Sequence, residues 1–173
     1  MFHNDRTIIL IDSNGLDRMC AALDLHIDFT KFRSFFERRR FVSRIYYFAV
    51  VPEDDEEFPK RRYLDWLDYH GVTLKTATKR SRSNDNMDRY KSERRNALQL
   101  AVGAMECAGN AEEIVFVTLN ADLIHAMGTI QAMGVRVSLL ASRVAPTLFV
   151  PDTLIRQADE FIEIKNERHH FER

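Results

Sequence analysis

Thr7-Ile8-Ile9-Leu10-Ile11-Asp12 is a continuous, largely β-branched apolar run that ends in a carboxylate. No polar residue interrupts it, so it predicts a strand buried on both faces rather than the alternating strand of a half-solvated sheet. A second run of the same kind, Ile114-Val115-Phe116-Val117, is followed closely by Asn120 and Asp122. Two such strands, each releasing polar side chains at its C-terminal end, are the layout of a ligand crevice on an open α/β sheet.

The rest of the chain alternates in the same way. Leu16, Met19, Cys20 and Leu23 recur at helical spacing, and residues 29–39 form a second helical stretch with Phe32, Phe35 and Phe36 as its inner stripe. Residues 41–51 read as a strand that Pro52 stops. The acidic run at 53–57 reads as a solvated loop or helix start. Residues 58–69 are helical and end at Gly71, and 72–76 form a short strand. Residues 78–91 are polar and basic without apolar periodicity, which predicts a mobile loop. Residues 93–108 form a long helix with Ala97, Leu98, Ala101, Ala104, Met105 and Ala108 expected inward. Strand 114–117, helix 121–133, strand 135–140, helix 147–158 and strand 161–164 complete the pattern. Such alternation predicts an α/β fold: a Rossmann-like, mostly parallel sheet with helices on both faces. We expect a single domain over residues 1–164 and a charged tail over 165–173, with His169-His170 disordered.

With 173 residues, 45% hydrophobic and 29% charged, the chain can bury a full core and has ordinary globular composition. Its net charge of −1 gives no global attraction to nucleic acid, so any such binding must come from local patches. Cys20 and Cys107 lie in apolar helical patterns and read as buried free thiols, which suits a reducing cytoplasm. No apolar run is long enough to span a membrane, and the polar N-terminus lacks the apolar segment of a signal peptide. The histidines show no metal-ligand spacing, and no Walker or dinucleotide glycine loop is present.

Five segments carry a resemblance. Ile11-Asp12-Ser13-Asn14-Gly15-Leu16, Trp66-Leu67-Asp68-Tyr69-His70-Gly71, Leu100-Ala101-Val102-Gly103-Ala104-Met105-Glu106, Gly134-Val135-Arg136-Val137 and Arg156-Gln157-Ala158-Asp159-Glu160-Phe161-Ile162 resemble the NYN domain family, and more narrowly its LabA-like bacterial branch. That resemblance implies a PIN-like fold and an acidic ribonuclease site that binds Mg²⁺ or Mn²⁺. It also exposes departures. The family's Asp-Gly-x-Asn turn keeps its acid at Asp12, but its Asn position falls on Gly15, with Asn14 one place early. The acid that opens the family's long helix falls on Ala97, and a further helix acid of the branch falls on Gly103. The Ser-Gly-Asp-x-Asp-Phe segment reads Thr118-Leu119-Asn120-Ala121-Asp122-Leu123. A register shifted to Asn86-Met87-Asp88 would use Asp88 instead, but the gapless match at Leu100 opposes it.

Mg²⁺-assisted phosphodiester hydrolysis needs hard oxygen ligands that hold the ion and offset phosphate charge. The resemblance thus leaves Asp12 and Asp122 as metal ligands for a weakly held Mg²⁺ or Mn²⁺, with Asn120 as a neutral oxygen ligand beside them. It implies a pseudoenzyme: a ribonuclease-family domain with impaired or lost catalysis, acting as an RNA-binding or regulatory partner. It could form a homodimer, or a heterodimer with an intact paralogue. The alternative is an active endoribonuclease that uses Asp12 and Asp122, helped by Asp88 or Glu93. Capping of the following helices is the plain structural role for the same two acids. Between Lys79 and Arg95 stand seven Lys or Arg against three acids, so Lys79, Arg80, Arg82, Arg89, Lys91 and Arg94 are the candidate RNA-phosphate contacts. Tyr90 among them could stack on a base.

Overall fold

The apolar run around Ile9 forms β1 (Arg6–Asp12) in the middle of a parallel sheet. The structure is a computed structural model and describes residues 6–53, 58–79, 86–145 and 147–173. Around β1 lie β2 (Phe41–Pro52), β3 (Thr73–Lys79), β4 (Glu113–Val117), β5 (Arg136–Ala141) and β6 (Glu160–Glu163). Their order across the sheet is β3-β2-β1-β4-β5-β6, and every neighbouring pair is parallel. The direction of winding reverses between β1 and β4, which is where an open parallel sheet gathers its strand C-termini around a crevice.

The helices follow the strands: α1 (Ser13–Leu23), α2 (Phe29–Glu37), α3 (Arg61–Tyr69), α4 (Asn86–Ala108), α5 (Ile124–Ala132), α6 (Asp152–Gln157) and α7 (Ile164–Glu167). Ile9, Leu10 and Ile11 of β1 and Val115, Phe116 and Val117 of β4 are fully buried, as continuous apolar runs in a covered parallel sheet should be. Among the described residues, no helix is long and apolar enough to cross a membrane.

Three local expectations change. Helix α4 begins at Asn86 rather than near Glu93, so residues 86–91 of the expected loop are helical and Thr78 and Lys79 belong to β3. The first turns of this helix are exposed on most sides, and apolar periodicity carries no signal there. On α4, Leu98 and Met105 face solvent, at 68% and 44% exposure, while Asn96 and Ala97 are buried. The buried face of the helix therefore passes through Asn96, which a search for apolar stripes overlooks. The C-terminal residues are docked: Phe171 is fully buried against Phe32 and Phe35, and its carbonyl accepts from the Asp28 N–H. The buried ring anchors the segment, and Arg168, Glu172 and Arg173 add hydrogen bonds to residues 23–31.

A buried acid lies at the other end of the sheet. Glu113, at the start of β4, accepts hydrogen bonds from the Thr7 hydroxyl at 3.0 Å and the Ser138 hydroxyl at 2.5 Å. Arg40 and Arg136 approach the same carboxylate at 3.5 and 3.8 Å. Because its two hydroxyl donors come from β1 and β5 and its two guanidinium neighbours from the starts of β2 and β5, it ties the N-terminal ends of four strands together.

Candidate functional site

Asp12 ends β1 and caps α1, accepting from the Asn14 N–H at 3.2 Å. Its Oδ1 also accepts from Asn96 Nδ2 on α4 at 2.8 Å, and its Oδ2 accepts from the Thr118 hydroxyl, just past β4, at 2.9 Å. Only 7% of the residue is exposed. Burial pushes the Asp12 carboxyl above its ordinary value, and the hydrogen bonds from Thr118, Asn96, Gly15 and Asn14 offset that only in part. The carboxylate thus joins β1, α1, α4 and β4 at the winding reversal.

The orientation of the Asn96 amide is set from behind. Its Nδ2 donates to the Phe48 carbonyl at 3.0 Å as well as to Asp12. Its Oδ1 accepts from Gln99 Nε2 at 2.7 Å, and Gln99 Nε2 in turn donates to the Ala49 carbonyl at 3.1 Å. Backbone carbonyls only accept, so neither amide can be turned around without setting oxygen against oxygen. Asn96 therefore offers Asp12 a donor, not an oxygen ligand. Sequence reasoning had looked for an acid at Ala97 and missed this neighbour. The signal available was a polar residue, Asn96, at a helical position otherwise flanked by Ala97 and Leu100 of the core.

Asn120 is also committed. Its Oδ1 accepts from the Asp122 N–H at 2.9 Å, capping the turn that leads into α5, while its own N–H donates to the Thr118 hydroxyl at 3.0 Å. Gly15 explains the missing asparagine of the first turn. A Cβ there would stand 3.1 Å from Asp12 Oδ2 and from the Leu119 nitrogen, and 3.2 Å from Thr118 Cα. Its absence lets α1 close onto the end of β4 and seal one side of Asp12.

A cleft of about 390 Å³ opens above this network. Asp12, Asn120 and Asp122 all line it, so the three candidate site residues do come together. Glu93 and Arg94 of α4 line it too, as does Arg18 of α1; Asp88 is not among its walls. Two exposed aromatics, Tyr90 and Phe149, stand at its margin, with the Arg94 guanidinium 5.6 Å from the Tyr90 ring centre. A neighbouring cleft of about 480 Å³ shares Asn14 and Glu93 with the first and adds Lys60, Lys79 and Arg89. Of the expected RNA contacts, Lys79, Arg89 and Arg94 therefore line this crest. Lys91 is exposed outside both clefts, and Arg80 and Arg82 lie outside the described residues. Arg18 is a lone cation in a helical segment and gives no signal in the sequence, while Lys60 opens the basic run Lys60-Arg61-Arg62, which reads from the sequence as solvated helix surface.

The profile of the NYN domain matches residues 6–165. The chain belongs to the NYN domain family. A crystal structure of a protein of unknown function from Vibrio parahaemolyticus has the same fold, with a TM-score of 0.71 at 19% identity and 95% of each chain covered. A structure titled LpCGTa in complex with UDP overlaps far more loosely, with a TM-score of 0.39 at 10% identity over 78% of this chain and 30% of that one. That overlap bears on neither fold nor ligand. No curated protein matches the sequence.

Metal fit can be judged for this NYN domain from its donor set. Among the described residues, no three His, Cys, Asp or Glu side chains are grouped closely enough to hold an ion. Asp12 spends both oxygens on protein donors, Asn96 presents hydrogens, and the Asn120 oxygen is already a cap. These residues do not fit a tightly held Mg²⁺ or Mn²⁺, whose ligands must be several converging, available oxygens.

Proposed function

We propose that this NYN domain is a catalytically impaired member of its nuclease family that binds single-stranded RNA along the crest of the sheet and acts as an RNA-binding or regulatory partner. The observation that carries this reading is the enclosure of Asp12 by hydrogen-bond donors. Turning it into a metal ligand would break bonds that also hold α4 and β4 in place. The crest retains what RNA binding needs without hydrolysis: Arg18, Arg94, Arg89, Lys79 and Lys60 for phosphates, with Tyr90 and Phe149 as surfaces for bases. Free thiols at Cys20 and Cys107 are in keeping with a cytoplasmic setting.

The test has two arms. Purified protein with single-stranded RNA and Mn²⁺ is expected to give no cleavage that depends on Asp12, judged against Asp12→Ala. Binding of the same RNA is expected to weaken with Arg94→Glu and Arg89→Glu, and to fall steeply with salt. Turnover abolished by Asp12→Ala would overturn the impaired reading; salt-independent or absent binding would overturn the RNA reading.

One observation favours the alternative, an active endoribonuclease using Asp12 and Asp122. Glu93 lines the same cleft as both, so a rearrangement that grouped the three carboxylates, which are apart here, would give one ion a third ligand. In that case Glu93→Gln should abolish Mn²⁺-dependent cleavage along with Asp12→Ala. Pairing with a second copy or with an intact paralogue is part of the proposal. Its support is the exposed apolar stripe Leu98, Val102 and Met105 on α4, and sedimentation of Val102→Arg against the parent protein tests it.

A further inference from the structure

A second cavity, of about 450 Å³, lies under the C-terminal half of α4 and against β1, β2 and β3. It extends to Arg6, the first residue of β1, whereas Asp12 is the last; a seven-residue strand separates these by about 20 Å. The cavity is therefore not part of the crest, and its volume is in the range of small-molecule sites.

Its lining combines two features that seldom meet by chance. The floor is apolar and aromatic: Ile8, Phe41, Tyr46 and Phe48. The register explains this, because Arg44, Tyr46 and Phe48 alternate onto one face of β2, and Phe48 pairs with Lys75 of β3 on the same face. Gly103 deepens the floor. A Cβ there would come within 2.7 Å of Phe48 Cζ, so only glycine lets the tip of that ring reach α4. Phe41 is 57% exposed at the entrance, an aromatic ring without cover.

Around this floor stand Arg6, Arg44 and Lys75. Among the described residues none of the three is ion-paired; the Lys75 ammonium instead sits 5.7 Å from the centre of the Tyr46 ring. Glu106 is the single acid on the wall and forms no ion pair with them. Ser43 and Asn110 add neutral groups that can donate and accept. Unbalanced positive charge over an aromatic floor selects against neutral apolar molecules, which leave the cations unpaired. It also selects against bare inorganic anions, which leave the rings wet.

We propose that this cavity is a binding site for a nucleoside phosphate, with the base on the Phe41 and Tyr46 rings and the phosphate between Arg6, Arg44 and Lys75. The site is independent of the crest. Its inner end is nonetheless the ring of Phe48, whose carbonyl accepts from the same Asn96 amide that donates to Asp12.

Calorimetric titration of the full chain with AMP and with UMP tests the proposal, with adenosine and inorganic phosphate as partial ligands. Saturable binding of at least one nucleotide is expected, tighter than either partial ligand. Arg44→Glu and Lys75→Glu should each weaken it about tenfold or more, since each reverses a charge near the phosphate. Both side chains are exposed, and an unchanged urea midpoint confirms that the variants fold. Arg94→Glu, on the crest, should leave nucleotide affinity unchanged. The proposal is overturned if no nucleotide binds, or if phosphate or adenosine binds as tightly as the nucleotide. It is equally overturned if binding survives both cavity variants and is lost in Arg94→Glu.

Discussion

Asn96→Asp converts the best-defined donor of the site into an acid, and its consequences separate an enclosed carboxylate from a metal ligand. In the parent protein Asn96 Nδ2 bridges Asp12 Oδ1 at 2.8 Å and the Phe48 carbonyl at 3.0 Å. A carboxyl at this position, even when protonated, has at most one hydrogen to give, so at least one of the two donations is lost. A buried carbonyl left without a partner costs about 1–3 kcal/mol. Two carboxyl groups at hydrogen-bonding distance cannot both ionise, so one must hold a proton at neutral pH. Together these predict a loss of about 3 kcal/mol at pH 7, or a fall in melting temperature of about 6–12 °C for a chain of this size. The loss should shrink in acid. The pair's upper pKa is raised in the folded state, so its stability is fully present below the unfolded carboxylate value and is lost as pH rises through the folded one. Millimolar Mn²⁺ should restore part of the stability of the variant, because two facing carboxylates now offer an ion what one enclosed carboxylate does not. Urea denaturation at pH 5 and pH 7, with and without Mn²⁺, reads all of this. An unchanged midpoint at pH 7 would show that Asn96 does not donate to Asp12. Stabilisation of the parent protein by Mn²⁺ to the same degree would refute the donor-set reasoning altogether.

Three further outcomes are expected. Asp12→Asn should be tolerated at neutral pH, because the folded-state pKa of Asp12 is raised by burial; the aspartate's stability contribution is therefore present below its unfolded value and lost as pH rises through its folded one. Stability profiles across the weakly acidic range should accordingly be flatter for the Asn variant, and a steeper profile would contradict this. Glu113→Ala should cost about 1–3 kcal/mol, since it leaves the buried Thr7 and Ser138 hydroxyls without their acceptor while Arg136 keeps Glu160; chemical denaturation with a loss under about 1 kcal/mol would mean the cluster is solvated. Gly15→Ala should cost about 1–3 kcal/mol, because two of the three atoms nearest the new methyl are backbone and cannot step aside. A crystal structure of that variant should show the distance between α1 and Thr118 increased.

The sheet was legible because central parallel strands announce themselves: Ile8 to Ile11 and Ile114 to Val117 have no polar face to confuse the reading. The crevice between them was legible for the same reason, since Asp12 and Asn120 follow directly from where those strands end. What could not be read was polar burial. Asn96 looks like a solvent residue in a helix, and only the carbonyls of Phe48 and Ala49, which are distant in sequence, make its burial favourable. Leu98 and Met105 misled in the opposite sense: at helical spacing from Ala101 they suggest a core stripe, yet the actual stripe is one residue over. The helical start at Asn86 was hidden because exposed charged turns carry no period. The docked C-terminus rests on Phe171, whose partners Phe32 and Phe35 lie well over a hundred residues away, and on bonds from Arg168 and Arg173 to the equally distant carbonyls of Leu23, Asp24 and His26.

The neutral groups around Asp12 are not independent of one another. Gly15 lets α1 approach β4, and this brings Thr118 into the arrangement that hydrogen-bonds Asp12. Thr118 in turn receives the Asn120 N–H, which leaves the Asn120 side chain facing Asp122 N–H as a cap rather than the cleft as a ligand. Asn96 closes the remaining side from α4. At Asn96 the neutral amide donates to Asp12 and to the Phe48 carbonyl, donations that a carboxylate in its place would leave unmade and, toward Asp12, replace by repulsion. An acid placed there therefore meets acceptors arranged for a donor, and costs stability before it can contribute charge, whereas an acid at Asn120 could keep the cap to the Asp122 N–H. On this ground the site is a self-consistent neutral network around one buried carboxylate, and the function of the crest must be sought in what its cations and exposed rings can hold.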